Sequence, residues 1–191
     1  MNIRAVVAAA IFAAVPAAHA QWNQEPTSVM GVTLGAPAAS IPMCPPLVQS
    51  NPDSYKTPSF ICTDDIGYSP QTASLKGIPF GFSRGGSVFF TNGAIASVHL
   101  LTGQVDYPRL KGMLVERYGP PMKTWTSQVT TTAGAVVSSE ESTWSGPNVT
   151  ILLSERARRA DLSRAAFAFN ALTAQAGADR AGENKANAGK L

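Results

Sequence analysis

The chain has 191 residues, 15 basic and 12 acidic, with a formal net charge of +3. Charged residues make up 14% of it, well under the usual quarter or so, and no dense basic stripe of the kind nucleic acid requires is present. The patterned sequence, about 150 residues, is enough for one domain with its own core.

Met1 to Ala20 reads as an export signal. Arg4 supplies the charged start, Ala5 to Val15 the apolar core, and Ala18-His19-Ala20 the small–x–small pattern of a cleavage site. The apolar run is too short to span a bilayer. No cysteine follows it at once, as a lipid anchor would need. Cleavage after Ala20 and a periplasmic or secreted location are therefore expected. No later segment is long and apolar enough to be transmembrane.

Ser28 to Leu34 reads as a first strand, closed by Gly35-Ala36-Pro37. From Ala38 to Ser59 the chain is rich in Pro, Ser and Asn and has no sustained period, so a loop is expected. The only two cysteines, Cys44 and Cys62, stand at the ends of this region. In an exported chain an even count points to one disulfide. A zinc site would need further ligands, and the spacing is not that of a Cys-x-x-Cys redox pair. Phe60 to Thr63 reads as a short strand. Asp64-Asp65 reads as a solvated turn, since calcium asks for six to eight oxygens. Ile78 to Phe82 is a further candidate strand.

Gly81-Phe82-Ser83-Arg84-Gly85 matches the G-x-S-x-G pattern of a nucleophile elbow. That elbow needs a strand before it and a helix after it. Here a glycine pair and another strand follow, and His99 is the only histidine after the leader. The reading that fits better is a flexible turn or bulge, and the functional reading beside it is a glycine-rich loop presenting Phe82 and Arg84 to a partner. A serine hydrolase using Ser83 is the alternative.

The centre of the chain is a hairpin and a helix. Ser87 to Phe90 is a strand, Asn92-Gly93 supplies the positive φ of a two-residue turn, and Ile95 to Thr102 is the returning strand. An unbroken ladder puts Val88, Phe90, Ile95, His99 and Leu101 on one face. Phe89, Ala96, Val98 and Leu100 then share the other. Both faces are apolar, so cover on both sides is expected. A helix follows over 106–118, with Asp106 as its cap and Gly119-Pro120-Pro121 as its stop. Leu110, Met113, Leu114 and Tyr118 form one stripe. Gly112 inside it suggests a close approach of helix to sheet.

Three strands come next: Lys123 to Thr131, Val136 to Trp144 and Val149 to Ser154. Glu140 and Glu141 point to opposite faces of their strand and cannot share acid–base work. Trp125 and Trp144 read as packing residues. Glu155 to Arg159 is the one basic cluster; such a run is more often a solvated turn, and as the functional reading its Arg156, Arg158 and Arg159 are candidate partner-binding residues. Residues 161–172 read as a last strand, although their alanines also suit a helix. Residues 173–191 carry little to bury and read as a disordered tail. The expected division is thus a signal peptide over 1–20, one α+β domain over 21–172 and a tail. That domain is an antiparallel twisted sheet with one main helix packed on it.

Gly31-Val32-Thr33-Leu34-Gly35 resembles the G-x-x-L-G strand that opens many small exported bacterial proteins. The run from Leu114-Val-Glu-Arg-Tyr-Gly-Pro120 through Trp144 to Val149-Thr-Ile-Leu-Leu153 is similar to uncharacterised proteobacterial exported proteins. In those a helix ends in Tyr-Gly-x-Pro and a strand pair follows. The likeness spans 31–154, and this chain departs from it with Gly-Pro-Pro at the helix end. It implies an antiparallel sheet with a packed helix, outside the cytoplasm, and no reaction. The functional expectation is a non-catalytic binding module without cofactor or metal. Its partner would be a protein, a peptide or an envelope component, and an inhibitor of a hydrolase is one version by fold analogy.

Overall fold

Asn92 and Gly93 adopt φ of 52° and 75°, the paired left-handed conformations of a type I′ turn. This hairpin anchors a seven-stranded sheet. The computed structural model describes residue 22 and residues 24–46, 58–63, 71–131, 133–157 and 159–190. The expected export signal, Asp64-Asp65 and Arg158 lie outside the described residues.

Strands β1 (Ser28–Val29) and β2 (Val32–Thr33) form a small hairpin of their own. The single first strand expected from sequence is therefore broken. Met30 and Gly31 both take positive φ, 52° and 85°, and turn the chain back on itself. Next come β3 (Thr72–Leu75), β4 (Ser83–Thr91), β5 (Ala94–Gly103), α1 (Tyr107–Tyr118), β6 (Lys123–Thr130), β7 (Val136–Ser145), β8 (Val149–Ser154) and β9 (Leu162–Phe169). Helix α2 (Asn170–Ala188) ends the described chain. The sheet order is β3-β4-β5-β9-β8-β7-β6, antiparallel at every pairing. The chain lays down β3 to β5 as one meander and crosses the sheet through α1. It then returns from the far edge through β6 to β9 to close against β5. The result is a mixed α+β single domain with α1 packed on the sheet.

The hairpin faces differ from the unbroken ladder. Phe90 pairs with Ile95 but Phe89 pairs with Ser97, so Ala96 is an extra residue on β5. Each bulge residue shifts the alternation by one. Val98 and Leu100 therefore join Val88, Phe90 and Ile95 on the helix-covered face, all buried. Ile78 to Phe82 is not a strand; it links β3 to β4.

On α1, Leu110, Leu114 and Tyr118 are buried together with Tyr107, while Met113 is half-buried. Gly112 is exposed and a Cβ there would meet nothing within 4 Å, so no close approach to the sheet explains it. Asp106 occupies the cap position without a side-chain cap hydrogen bond. Gly119, at φ 84°, ends the helix by donating its N–H to the Val115 carbonyl. Val29, Val32, Leu34 and Ile41 from the N-terminal segment fill the same core. That segment is tied to the central hairpin by Gly35 N–H to Ile95 O and Ile95 N–H to Ala36 O, both 2.8 Å.

Cys44 and Cys62 form the expected disulfide, with Cα atoms 4.9 Å apart. In the chain-entropy picture a loop of this size adds roughly 3 kcal/mol. Cys62 also exchanges backbone hydrogen bonds with Lys76, at 3.3 and 2.9 Å, so the staple holds this segment against the end of β3.

The last strand is the one anticipated, but residues 173–188 are helical rather than disordered. Alanine-rich sequence carries high helix propensity, and α2 contacts β4, β5 and β9. No α2 residue is buried. No helix among the described residues is long and apolar enough to cross a membrane.

Candidate partner-binding surface

The sheet topology brings three separate loops to one end. The start of β4 pairs with the end of β5 (Ser83 with Thr102), and the end of β5 pairs with the start of β9 (Gly103 with Leu162). The β8–β9 connection therefore lies beside the β3–β4 connection, with the first turn of α1 next to them. Two of the sequence-selected sets, Phe82 with Arg84 and Arg156 with Arg159, are some 70 residues apart in the chain. The fold places them at the same end.

Phe82 is half-buried and stacked on Phe80, with ring centroids 5.8 Å apart. The guanidinium of Arg109, from the first turn of α1, lies 4.3 Å from the centre of the Phe82 ring. Such a contact is worth roughly 0.5–1 kcal/mol when exposed. Arg84 is exposed and is the extra residue where the β4–β5 register shifts. Gly103 lets it lie close: a Cβ there would stand 3.5 Å from Arg84 Nε and 3.4 Å from Asp106 Oδ2.

Arg159 donates from Nε to Asp161 Oδ1 (3.0 Å) and from Nη2 to Asp161 Oδ2 (2.9 Å), with both side chains largely exposed. This pairing holds the Asp161 carboxyl below its ordinary value, with a smaller contribution from the charge of Arg84. Arg156 has a different role. It donates to the carbonyls of Ser138 (3.0 Å) and Ala160 (2.8 Å) and sits 3.6 Å from Glu155, clamping the β8–β9 connection to β7. Its donors are engaged internally. Among the described residues, Arg84, Arg109 and Arg159 are exposed cations at this end.

Beneath them is a network that sequence reasoning missed. Glu140 Oε1 accepts from Tyr107 Oη and from Lys111 Nζ, each at 2.5 Å. Tyr107 and Lys111 are four residues apart on α1, so they face the same way, and that spacing was the available signal. Lys111 and then Tyr107 hold the Glu140 carboxyl below its ordinary value. Burial first, then Glu140, push the Tyr107 phenol up and keep it neutral. A carboxylate with a depressed folded pKa stabilises fully above the unfolded value, roughly pH 4.3. That contribution is lost as the pH falls through the folded value. Glu140→Gln should thus be less stable than the parent near pH 6. In urea titrations the gap should narrow as the pH drops below about 4. A gap unchanged down to pH 2 would remove the ion pair as its cause. Glu141 points the other way and accepts from Ser127 and Ser139, both at 3.3 Å.

Ser83 opens β4 rather than standing on an elbow. Its hydroxyl accepts from Gly85 N–H at 3.1 Å and lies 3.4–3.5 Å from the carbonyls of Gly85 and Leu101. Ser83 pairs with Thr102, three residues from His99 on β5, and an odd separation on a strand puts the two on opposite faces. The His99 ring instead lies 4.4 Å from that of Phe89, with Nε2 3.3 Å from Ser97 Oγ. No group of three or more metal-ligating side chains occurs among the described residues.

A cavity of about 160 Å³ lies elsewhere, between the N-terminal segment and the β7–β8 turn. The Glu25 carboxylate on its wall accepts from the N–H groups of Asn148 and Val149 at 2.8 and 2.6 Å. It is a seam, well below the size of a ligand pocket. No protein-family model, curated protein or solved structure matches the chain.

Proposed function

We propose that the chain acts outside the cytoplasm as a non-catalytic binding protein. Its partner, a protein, peptide or envelope component, meets the sheet end that carries Phe82, Arg84, Arg109 and Arg159. The observation that carries this reading is the arginine–aromatic stack beside a second exposed guanidinium. Guanidinium forks and aromatic rings are the groups that most often dominate interfaces, and Arg matches carboxylate or phosphate groups bidentately. The disulfide and the leader-like Met1–Ala20 segment support the location.

The test is retention of partners from envelope extract on the immobilised protein, compared with the Arg84→Ala/Arg109→Ala double variant. Loss of two such contacts should weaken retention of the specific partner tenfold or more, on the order of 1–2 kcal/mol. Equal recovery by both proteins removes this surface from consideration. The hydrolase alternative rests on the Gly81–Gly85 motif alone. A serine-reactive phosphonate that labels the parent but not Ser83→Ala would reverse the ranking. Export itself is checked by cell fractionation of the full-length chain and mass analysis of its N-terminus, where Gln21 is expected first.

A further inference from the structure

Among the described residues, strand β6 is an open edge of the sheet. β7 pairs with it along all eight residues, and no described strand lies on its other side. The opposite edge of the sheet is treated differently, since the disulfide-held Cys62 meets the end of β3 there. β6 also lacks the usual protection of an edge. It contains no Pro or Gly, and Lys123, at its very end, is its only charge. Three large apolar side chains are exposed on this ribbon and its approach: Met122 (43%), Trp125 (37%) and Val136 (64%).

The hydrogen-bond phase of β6 can be read from its two neighbours. Thr131 N–H donates to Ala135 O across the hairpin, and Glu140 O, opposite Thr126, is directed to Glu155 N–H on the far side of β7. Alternation then turns the backbone groups of Lys123, Trp125, Ser127 and Val129 toward β7. Those of Thr124, Thr126, Gln128 and Thr130 point out of the sheet.

We propose that β6 pairs with β6 of a second copy of this chain, antiparallel, about a two-fold axis at Ser127. The occupant follows from self-complementarity. This register sets Thr124 opposite the second copy's Thr130 and Thr126 opposite its Gln128. Each outward-pointing residue thus meets another, for about eight backbone hydrogen bonds. A two-fold axis normal to the sheet keeps the faces matched. Trp125 then lies opposite the second copy's Val129, an aromatic–β-branched pair of the favourable kind. Lys123 lies opposite Thr131, so no like charges meet. Shifting the axis by one residue to Thr126 or Gln128 preserves the phase but breaks the Trp–Val pairing and leaves one end of the strand unpaired. The two seven-stranded sheets become one continuous sheet, and an isologous contact of this kind closes on itself.

Sedimentation velocity of the disulfide-intact chain from about 5 to about 500 µM should show a monomer–dimer equilibrium set by mass action. Thr126→Pro removes an outward N–H and leaves the β7 ladder whole, and should raise the dissociation constant tenfold or more. Ser127→Cys should give a covalent dimer on mild oxidation, since only the axial residue faces its own copy, while Gln128→Cys should not. A monomer over the whole range overturns the proposal. So does a dimer in which Ser127→Cys fails to cross-link, or one in which Gln128→Cys cross-links as readily. If Thr126→Pro does not fold, the cysteine pair decides the matter alone.

Discussion

Replacing Gly77 by alanine should cost about 3 kcal/mol or more, combining left-handed backbone strain with a forced shift of packed chain. Gly77 has φ 71°, where an L side chain is already disfavoured. A Cβ there would stand 1.8 Å from the Phe60 carbonyl oxygen and 2.6 Å from its carbon. Those are backbone atoms, and they belong to the segment held by the Cys44–Cys62 bridge and by the Cys62–Lys76 hydrogen bonds. Neither rotamer change nor local side-chain motion relieves the overlap. Either the clamped segment lifts off the sheet or the end of β3 moves. Urea unfolding followed by tryptophan fluorescence measures the loss, and a Gly77→Ala protein within about 1 kcal/mol of the parent would show that the segment yields freely. In a domain of this size, 3 kcal/mol corresponds to roughly a 6–12 °C fall in Tm.

Trp144→Ala should be the most damaging single truncation, at about 3–5 kcal/mol. The side chain is 1% exposed, sits on the helix-covered face of β7, and donates Nε1–H to the Gly119 carbonyl at 2.8 Å. That hydrogen bond ties the end of α1 to the far half of the sheet, where the chain crosses from one meander to the other. Trp144→Phe keeps most of the packing but leaves a carbonyl without its donor, so a smaller loss of about 1–3 kcal/mol is expected. The order Ala worse than Phe, read from denaturation midpoints at constant slope, separates packing from hydrogen bonding. Equal losses would mean that the indole N–H carries the whole effect. Trp125, exposed on the edge strand, should tolerate Trp125→Ala far better in the monomer.

The two tryptophans show how far patterning reaches. Both read as packing residues, yet one is in the core and the other on an open edge. Which is which depends on what lies beyond each strand, and composition does not carry that information. The sheet end proposed as a partner surface was legible in the same partial way. Phe82, Arg84 and Arg159 could be singled out as side chains in loops, and the fold sets them near one another. Arg156 looked identical in sequence but is consumed by the carbonyls of Ser138 and Ala160. Arg109 looked like an ordinary helix cation and instead lies over Phe82. Cation–π pairing between residues far apart in the chain leaves no local signature.

Local chemistry determined much of this protein. Asn92-Gly93 could make only one kind of turn, Gly119-Pro120-Pro121 had to stop α1, and two cysteines had one way to pair. These follow from φ preferences, a missing N–H and bond formation, all of which act over a few residues or through a forced choice. What only the tertiary structure decided were quantities set by alignment between distant strands. The extra residue Ala96 moved Val98 and Leu100 to the other face, and β9 closed against β5 so that three loops gathered at one end. The alanine-rich C-terminal residues became α2 where a disordered tail was expected. Strand register has a period of two, so a single inserted residue exchanges inside for outside, and the energy that selects it comes from neighbours the local sequence does not contain.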